Sequence, residues 1–315
     1  MKTVFFGGNQ LSVIVLGQLI NSKIRPNLII TAPDKPVGKK KIITPPPLKL
    51  EAQKLRLNVI QPVSLKEQDV VKKIKEISPE LGIVAAYGKL IPKQILELFP
   101  KGVLNLHPSL LPKYRGPSPI QSAILNDDKE TGVTIILLDE KMDHGQILAQ
   151  ETIKLTGEEY FPELYDRLAK VGGKLLSKIM PLWVEKQITP MSQNDSKATI
   201  CEKLEWSDGE IKLNEPVKKV FARIRALSSE PGTWINLKIK GTKPIYLKII
   251  KAAMLPGEKF QKPEPLGVYE KDKNLVLGCS GGSLLLEQVQ PEGRKIMTGK
   301  EFLNGYRNKL INNNL

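Results

Sequence analysis

Along residues 1–187 the apolar positions switch repeatedly between two rhythms. Short continuous apolar runs, rich in Val, Ile and Leu, alternate with stretches whose apolar residues recur every three or four positions. The first rhythm marks buried strands and the second amphipathic helices. Strands are predicted at residues 3–6, 27–31, 58–61, 81–87, 103–107, 134–138 and near 146–153, and helices at 11–20, 48–55, 65–77, 92–98, 119–126 and 162–185. The run at 81–87 shows no alternation, as a strand covered on both faces of a parallel sheet should, and Gly88 ends it. This order of β and α predicts an α/β domain on a doubly wound, mostly parallel sheet. The turn Gly7-Gly8-Asn9 after the first strand is no G-x-G-x-x-G fingerprint, so no dinucleotide site is read there.

Residues 33–47 are read as an irregular loop. Their prolines oppose regular pairing, and Lys35, Lys39, Lys40 and Lys41 keep the segment wet. Past residue 187 the pattern changes. Residues 188–204 are polar and turn-rich and are read as a linker, which divides the chain into domains at 1–187 and 205–315. The second domain opens with a helix at 217–227. Short β runs follow at 234–239, 245–250, 267–268, 275–277 and 283–289, separated by Gly, Pro and Lys. Several short strands with turn signals predict a small β-barrel, OB-like in size; the pattern by itself does not choose barrel over sandwich.

Composition narrows the class. At 315 residues two domains are the default, and 26% charged with 41% hydrophobic residues fits a soluble globular protein. No apolar run reaches the roughly 20 residues that span a bilayer, and no signal-peptide pattern opens the chain, so no membrane partner and a cytoplasmic location are expected. Two cysteines, Cys201 and Cys279, are too few for a disulfide framework or a zinc site, and no metal is expected. The net charge of +15 points to a polyanionic partner such as nucleic acid, although a lysine-rich solvated surface explains the total equally well.

The chemistry concentrates in Val103-Leu-Asn-Leu-His-Pro-Ser-Leu-Leu-Pro-Lys-Tyr-Arg-Gly116. Asn105 and His107 are two apart on a strand, which puts both side chains on one face. Pro108 then stops the ladder. Carboxyl ends of strands are where open α/β sheets bind ligands. A lone Asn or His at such a place is more often a satisfied structural residue. The chain has only two histidines, however, and downstream lies a second polar turn holding Asp139, Asp143, His144 and Gly145.

Taken together, Asn105-Leu106-His107, Ser109-Leu110-Leu111-Pro112, Arg115-Gly116 and Asp143-x-Gly145 resemble the 10-formyltetrahydrofolate-dependent formyltransferases. The likeness is strongest over residues 85–150 and weaker in the last hundred or so. It implies a Rossmann-like catalytic domain followed by an OB-like tRNA-binding domain. It also implies 10-formyltetrahydrofolate as co-substrate and initiator methionyl-tRNA as acceptor, formylated on its free amino group for the start of translation. A monomer is expected.

Formyl transfer to an amine passes through a tetrahedral oxyanion. Asn105 offers uncharged N–H donors for that oxygen. His107 donates when protonated or accepts a proton when neutral, and the sequence leaves both roles open. Asp143 orients the histidine or relays its proton. The resemblance places these three in the catalytic site. It places Ser109, Leu110, Leu111 and Pro112 beside the folate. The loop at Tyr87 and Gly88 and the turn with Asp139 are expected to line the pterin slot with backbone groups, although plain packing explains Tyr87 equally well. A Ser109–His107–Asp143 triad is a lesser reading, since no G-x-S-x-G elbow is present. His144 is read as a turn residue.

For the tRNA, the resemblance implies that the loop carrying Lys35, Lys39, Lys40 and Lys41 meets the acceptor end. Where the family often has Arg, this chain has Lys39, a point charge without a bidentate fork. Lys218, Lys219 and Arg223, with Arg225 and the lysines after them, are expected to track phosphates. Two other readings remain: a formyltransferase or hydrolase acting on a small amine or on the folate itself, and an RNA-binding module with an inactive formyltransferase-like domain.

Overall fold

The computed structural model describes residues 1–38, 40–241, 243–255 and 265–310. Contacts divide the chain into two compact units. The first holds residues 1–119, 130–154 and 163–202. The second holds 203–315 together with two excursions from the N-terminal half, 120–129 and 155–162.

The first unit follows the predicted alternation. Its elements are β1 (Thr3–Gly7), α1 (Gln10–Asn21), β2 (Leu28–Ile30), β3 (Lys35–Val37), β4 (Ile42–Thr44), α2 (Pro47–Lys54), β5 (Val59–Ile60), α3 (Gln68–Ile77), β6 (Leu81–Ala85), α4 (Lys93–Leu96) and β7 (Val103–His107). After helix α5 (Pro119–Leu125), which lies in the excursion to the second unit, come β8 (Glu130–Leu137), β9 (Gln146–Lys154) and α6 (Phe161–Val184). Seven strands form one sheet in the order β5-β2-β1-β6-β7-β8-β9. The pairs from β5 to β7 are parallel, and β8 and β9 add antiparallel to that edge. The mostly parallel sheet is therefore as expected.

One expectation fails. Residues 33–47 are not wholly irregular: β3 and β4 pair antiparallel, with Pro36 opposite Ile43. A two-stranded ribbon is all edge, so a proline need not remove a ladder bond. The turn is made by residues with positive φ, Gly38 at 71° and Lys41 at 46°, and the Lys41 amide donates to the Gly38 carbonyl. Lys39 lies outside the described residues.

Strand β7 is buried along its whole length. Alternation puts Val103, Asn105 and His107 on one side and Leu104 and Leu106 on the other. Val103 joins an apolar cluster with Phe6, Val84, Tyr87 and Phe99. On the opposite side Leu106 packs into helix α6 at Gly172, where an added Cβ would come within 2.6 Å of the leucine. The next residue, Gly173, lies as tightly against Gln18 of α1. Gly172 thus seats α6 directly on the strand that carries Asn105 and His107, and Gly173 seats it on α1. Removing the buried Leu106 side chain would cost about 2–5 kcal/mol.

The second unit contains α7 (Val217–Leu227), β10 (Thr233–Leu237), β11 (Ile245–Met254), β12 (Gly267–Lys271), β13 (Asn274–Cys279), β14 (Gly282–Pro291), β15 (Met297–Thr298) and α8 (Gly299–Tyr306). Its strands form a curled antiparallel sheet, a half-barrel, in the order β10-β11-β14-β13-β12, with β15 on β14. Register shifts on β11 between Ile249 and Ala252 bend the longest pair. The apolar core combines Val220, Phe221 and Ile224 of α7 with Leu247, Leu277, Leu284 and Val289 of the sheet and Phe302 of α8. Helix α8 and strand β15 were not read from the sequence, although Thr298 and Glu301 form a capping box there.

Candidate functional site

Three side chains predicted from two distant stretches meet at one point. His107 is the last residue of β7, and Asn105 sits one pleat earlier. Asp143 lies in the turn between β8 and β9. Its Oδ1 is 3.4 Å from Asn105 Nδ2 and 3.5 Å from His107 Nδ1. Its other oxygen, Oδ2, accepts a 2.9 Å hydrogen bond from the Gly116 amide. Asn105 and His107 are buried, and the Asp143 side chain keeps 14% of its surface open.

The opposite edge of the imidazole fixes its tautomer. His107 Nε2 lies 2.8 Å from the Tyr114 carbonyl oxygen. A carbonyl only accepts, so Nε2 carries a proton. Nδ1 is then the nitrogen that faces Asp143. The sequence left open whether His107 would act as base or as electrophile; with Nε2 held by the Tyr114 carbonyl, Nδ1 is the nitrogen either role would use.

Backbone conformation explains why these residue types stand here. Asp143 has φ 49°, a left-handed conformation that Asp tolerates better than bulky residues. Gly145 passes so close to the Leu137 carbonyl that a Cβ would lie 1.9 Å from it. Gly116 has φ 120°, and its Cβ would lie 2.2 Å from the Cys201 carbonyl. The Arg115-Gly116 and Asp143-x-Gly145 pairs are thus tight crossings that hold the carboxylate.

The segment read as a linker takes part in this construction. Residues up to 202 belong to the first unit. Met191 bridges to Ile147, and Ile200 to Arg115. Gln193 Nε2 donates to the carbonyls of Asp143 and Gly145, both at 2.8 Å. Gln193 Oε1 accepts from Arg115 Nε and Nη2 at 3.0 and 2.8 Å. Arg115 also pairs with Asp195 at 2.7 Å and holds its carboxyl below the usual range. His144 spans Asp139, at 2.6 Å, and Asp195, at 3.5 Å. Gln193 and Asp195 gave no local signal, because a polar segment reads as linker unless its partners are known.

The run assigned to the folate is held from below by Thr134. This fully buried hydroxyl donates to the Ser109 carbonyl, accepts from the Leu111 amide, and receives Gln150 Nε2. Leu111 is buried with Ile136 and Ile147, while Leu110 and Pro112 are half-buried. Ser109 Oγ donates to the Lys113 carbonyl at 2.6 Å, and His107 Nε2 is engaged with Tyr114. The lesser triad reading therefore has no Ser–His bond. The Tyr87 ring packs edge-on to Phe6 at 5.7 Å inside the core, and burial pushes its hydroxyl up to about 12. Gly88 is exposed at φ 74°, and Asp139 accepts from His144 and from the Lys141 amide. Among the described residues no group of three or more His, Cys, Asp or Glu is placed to hold a metal ion. No helix there is long and apolar enough to cross a membrane.

The basic residues fall into two classes. Lys35, Lys40 and Lys41 are exposed on the β3–β4 hairpin, as are Val37, Ile42 and Ile43. In the second unit Lys218 and Lys219 are exposed, and Lys219 lies 3.4 Å from Glu215. Arg223 is half-buried against the same Glu215. Arg225 corrects the expectation of a phosphate contact. It is buried, with its guanidinium over Phe221 and 3.8 Å from Asp127. It ties the excursion at 120–129 to α7.

Comparison with known proteins gives the family. Residues 1–180 match the family model described as formyl transferase, and residues 203–307 match its C-terminal domain. A methionyl-tRNA formyltransferase of Thermodesulfovibrio yellowstonii is 38% identical over 303 residues, covering 96% of this chain and 95% of that protein. One from Caldicellulosiruptor saccharolyticus is 37% identical over 311 residues, covering 98% of each. Among solved structures, an N-formyltransferase from Helicobacter canadensis in complex with folinic acid and dTDP-3-aminofucose superposes with a TM-score of 0.65 at 19% identity, over 91% of this chain and 98% of that one. Both the catalytic-type sheet and the C-terminal half-barrel are covered by these matches, and the chain belongs to the formyl transferase family.

Proposed function

We propose that this chain transfers the formyl group of 10-formyltetrahydrofolate to the free amino group of initiator methionyl-tRNA, in the cytoplasm, on the Asn105–His107–Asp143 site. Full-length relatives carrying that activity in their names support the substrates. The observation that carries the site is the convergence of Asn105 Nδ2 and His107 Nδ1 on one oxygen of Asp143.

The amino nitrogen attacks the formyl carbon, and the carbonyl oxygen becomes an oxyanion. Asn105 spends one N–H on a long bond to Asp143 and has a second for that oxygen. The proton lost by the amine passes to the Asp143–His107 pair, through Oδ1 or Nδ1. Collapse breaks the bond to the folate nitrogen, which leaves with that proton. No covalent enzyme intermediate is needed. The Ser109–Pro112 run, fixed by Thr134 and Gln150, shapes the folate side, and the backbone at residues 86–88 and near Asp139 lines the pterin slot.

The β3–β4 hairpin is the tRNA finger of this reading. Lysines supply phosphate contacts, and exposed Val37, Ile42 and Ile43 supply an apolar surface of the kind that packs on bases or sugar. Lys218 and Lys219 add phosphate contacts. Arg223, engaged by Glu215, contributes less than its charge suggests.

Incubation with methionyl-tRNA and 10-formyltetrahydrofolate, scored as formylmethionine after hydrolysis, tests this function. No product, with hydrolysis of the folate or formylation of a small amine instead, would replace it. Rising salt should weaken tRNA use steeply and leave a small-amine reaction unchanged.

A further inference from the structure

Asp143 is held at two separate places. Its carboxylate is fixed by the Gly116 amide, and its main chain is fixed by Gln193. The residue beside Gly116 is Arg115, whose side chain holds Gln193 from the other end. A closed circuit results: the Arg115 guanidinium to Gln193, Gln193 to the Asp143 carbonyl, and the Asp143 carboxylate back to the residue after Arg115. Gln193 also bridges the carbonyls of Asp143 and Gly145 across a turn that opens with Asp143 at φ 49°. A left-handed non-glycine residue persists only when its surroundings over-determine it.

We propose that Gln193, oriented by Arg115, is a positioning residue for formyl transfer. It acts through the turn 143–145 to set where the Asp143 carboxylate stands relative to Asn105 and His107. The amide is the one side chain suited to this place. Its nitrogen donates two hydrogen bonds to two carbonyl oxygens, and its oxygen accepts two from one guanidinium. Glutamate would serve Arg115 but face the carbonyls with an acceptor. Lysine would serve the carbonyls but face Arg115 with a like charge. The inference rests on Asp143 working in the reaction, as read above.

The test uses the full chain with methionyl-tRNA and the formyl donor. Gln193→Leu removes both functions, and Gln193→Glu keeps the bond to Arg115 while losing the donor. Both variants should lower kcat roughly a hundredfold, as displacement of a catalytic group by about 1 Å does, with KM for tRNA changed less than about twofold. A purely structural link between Arg115 and the segment would be rescued by Gln193→Glu. Wild-type kcat in that variant therefore overturns the proposal, and it serves equally if Gln193→Leu fails to fold. In an Asp143→Asn background, single-turnover rates should show little further loss from Gln193→Glu. A full additional loss there means that Gln193 does not act through Asp143, which also overturns it. Asp143→Asn with wild-type turnover would sink the reading of the site itself and is distinguished by that variant on its own.

Discussion

The Gly116 amide points at Asp143 Oδ2 from 2.9 Å, and it does so from a backbone at φ 120°. No side chain fits at residue 116, since a Cβ would lie 2.2 Å from the Cys201 carbonyl. Glycine is therefore the condition for the carboxylate's placement. Gly116→Ala should lower stability by about 2 kcal/mol or more, because both conformation and space oppose it. It should also reduce turnover even at temperatures where the variant is folded. Urea titration beside steady-state kinetics reads both, and an unperturbed variant would show that the crossing is looser than this geometry.

On the proposed mechanism Asn105 donates to the developing oxyanion. Asn105→Ala should raise the barrier by on the order of 3 kcal/mol, seen mainly in kcat. Turnover at the wild-type rate would remove the residue from the catalytic site.

The hairpin makes a separable prediction. Lys40→Ala with Lys41→Ala should weaken kcat/KM for tRNA and reduce the slope of its salt dependence by about two. Folate binding should be spared, since these lysines belong to an exposed ribbon. An unchanged salt slope would make the hairpin a bystander.

Arg223 holds the Glu215 carboxyl below the ordinary range of 4.5. The folded-state value is depressed, so the pair stabilises the second unit above about that pH. The contribution is lost as pH falls through the lower folded value. Glu215→Gln should melt earlier than the wild type at neutral pH, and the gap should close in acid. A gap that is constant from neutral pH to strong acid would mean that the charge is not what matters.

Both cysteines are buried, and burial pushes the Cys279 thiol up to about 12. Thiol reagents at neutral pH should leave activity intact, since too little thiolate is present at Cys279 and too little surface at either residue. Rapid inactivation, tracked by mass spectrometry, would revive a thiol role.

The alternation of strands and helices is written in local pattern. Periods of two and of three to four residues are local properties, and burial enforces them. Local pattern also put Asn105 and His107 on one face of one strand, since a spacing of two on a pleat admits nothing else. Helix α7 came out at its observed bounds for the same reason. Other features depend on residues far apart in the chain, and only folding reveals them. Arg225 reads as a surface cation and is buried, because Asp127, nearly a hundred positions earlier, meets it. For Tyr87 local pattern left a pterin-slot loop and plain packing even, and the fold packs its ring in the core beside Phe6. Pro36 discourages strand pairing, yet an all-edge ribbon accepts it. Gln193 sits in a stretch without periodicity, and only the approach of Arg115 and Asp143, 78 and 50 positions away, gives it a task. Local pattern carries no record of such encounters. They arise when packing brings polar groups together in an interior where each must find a partner.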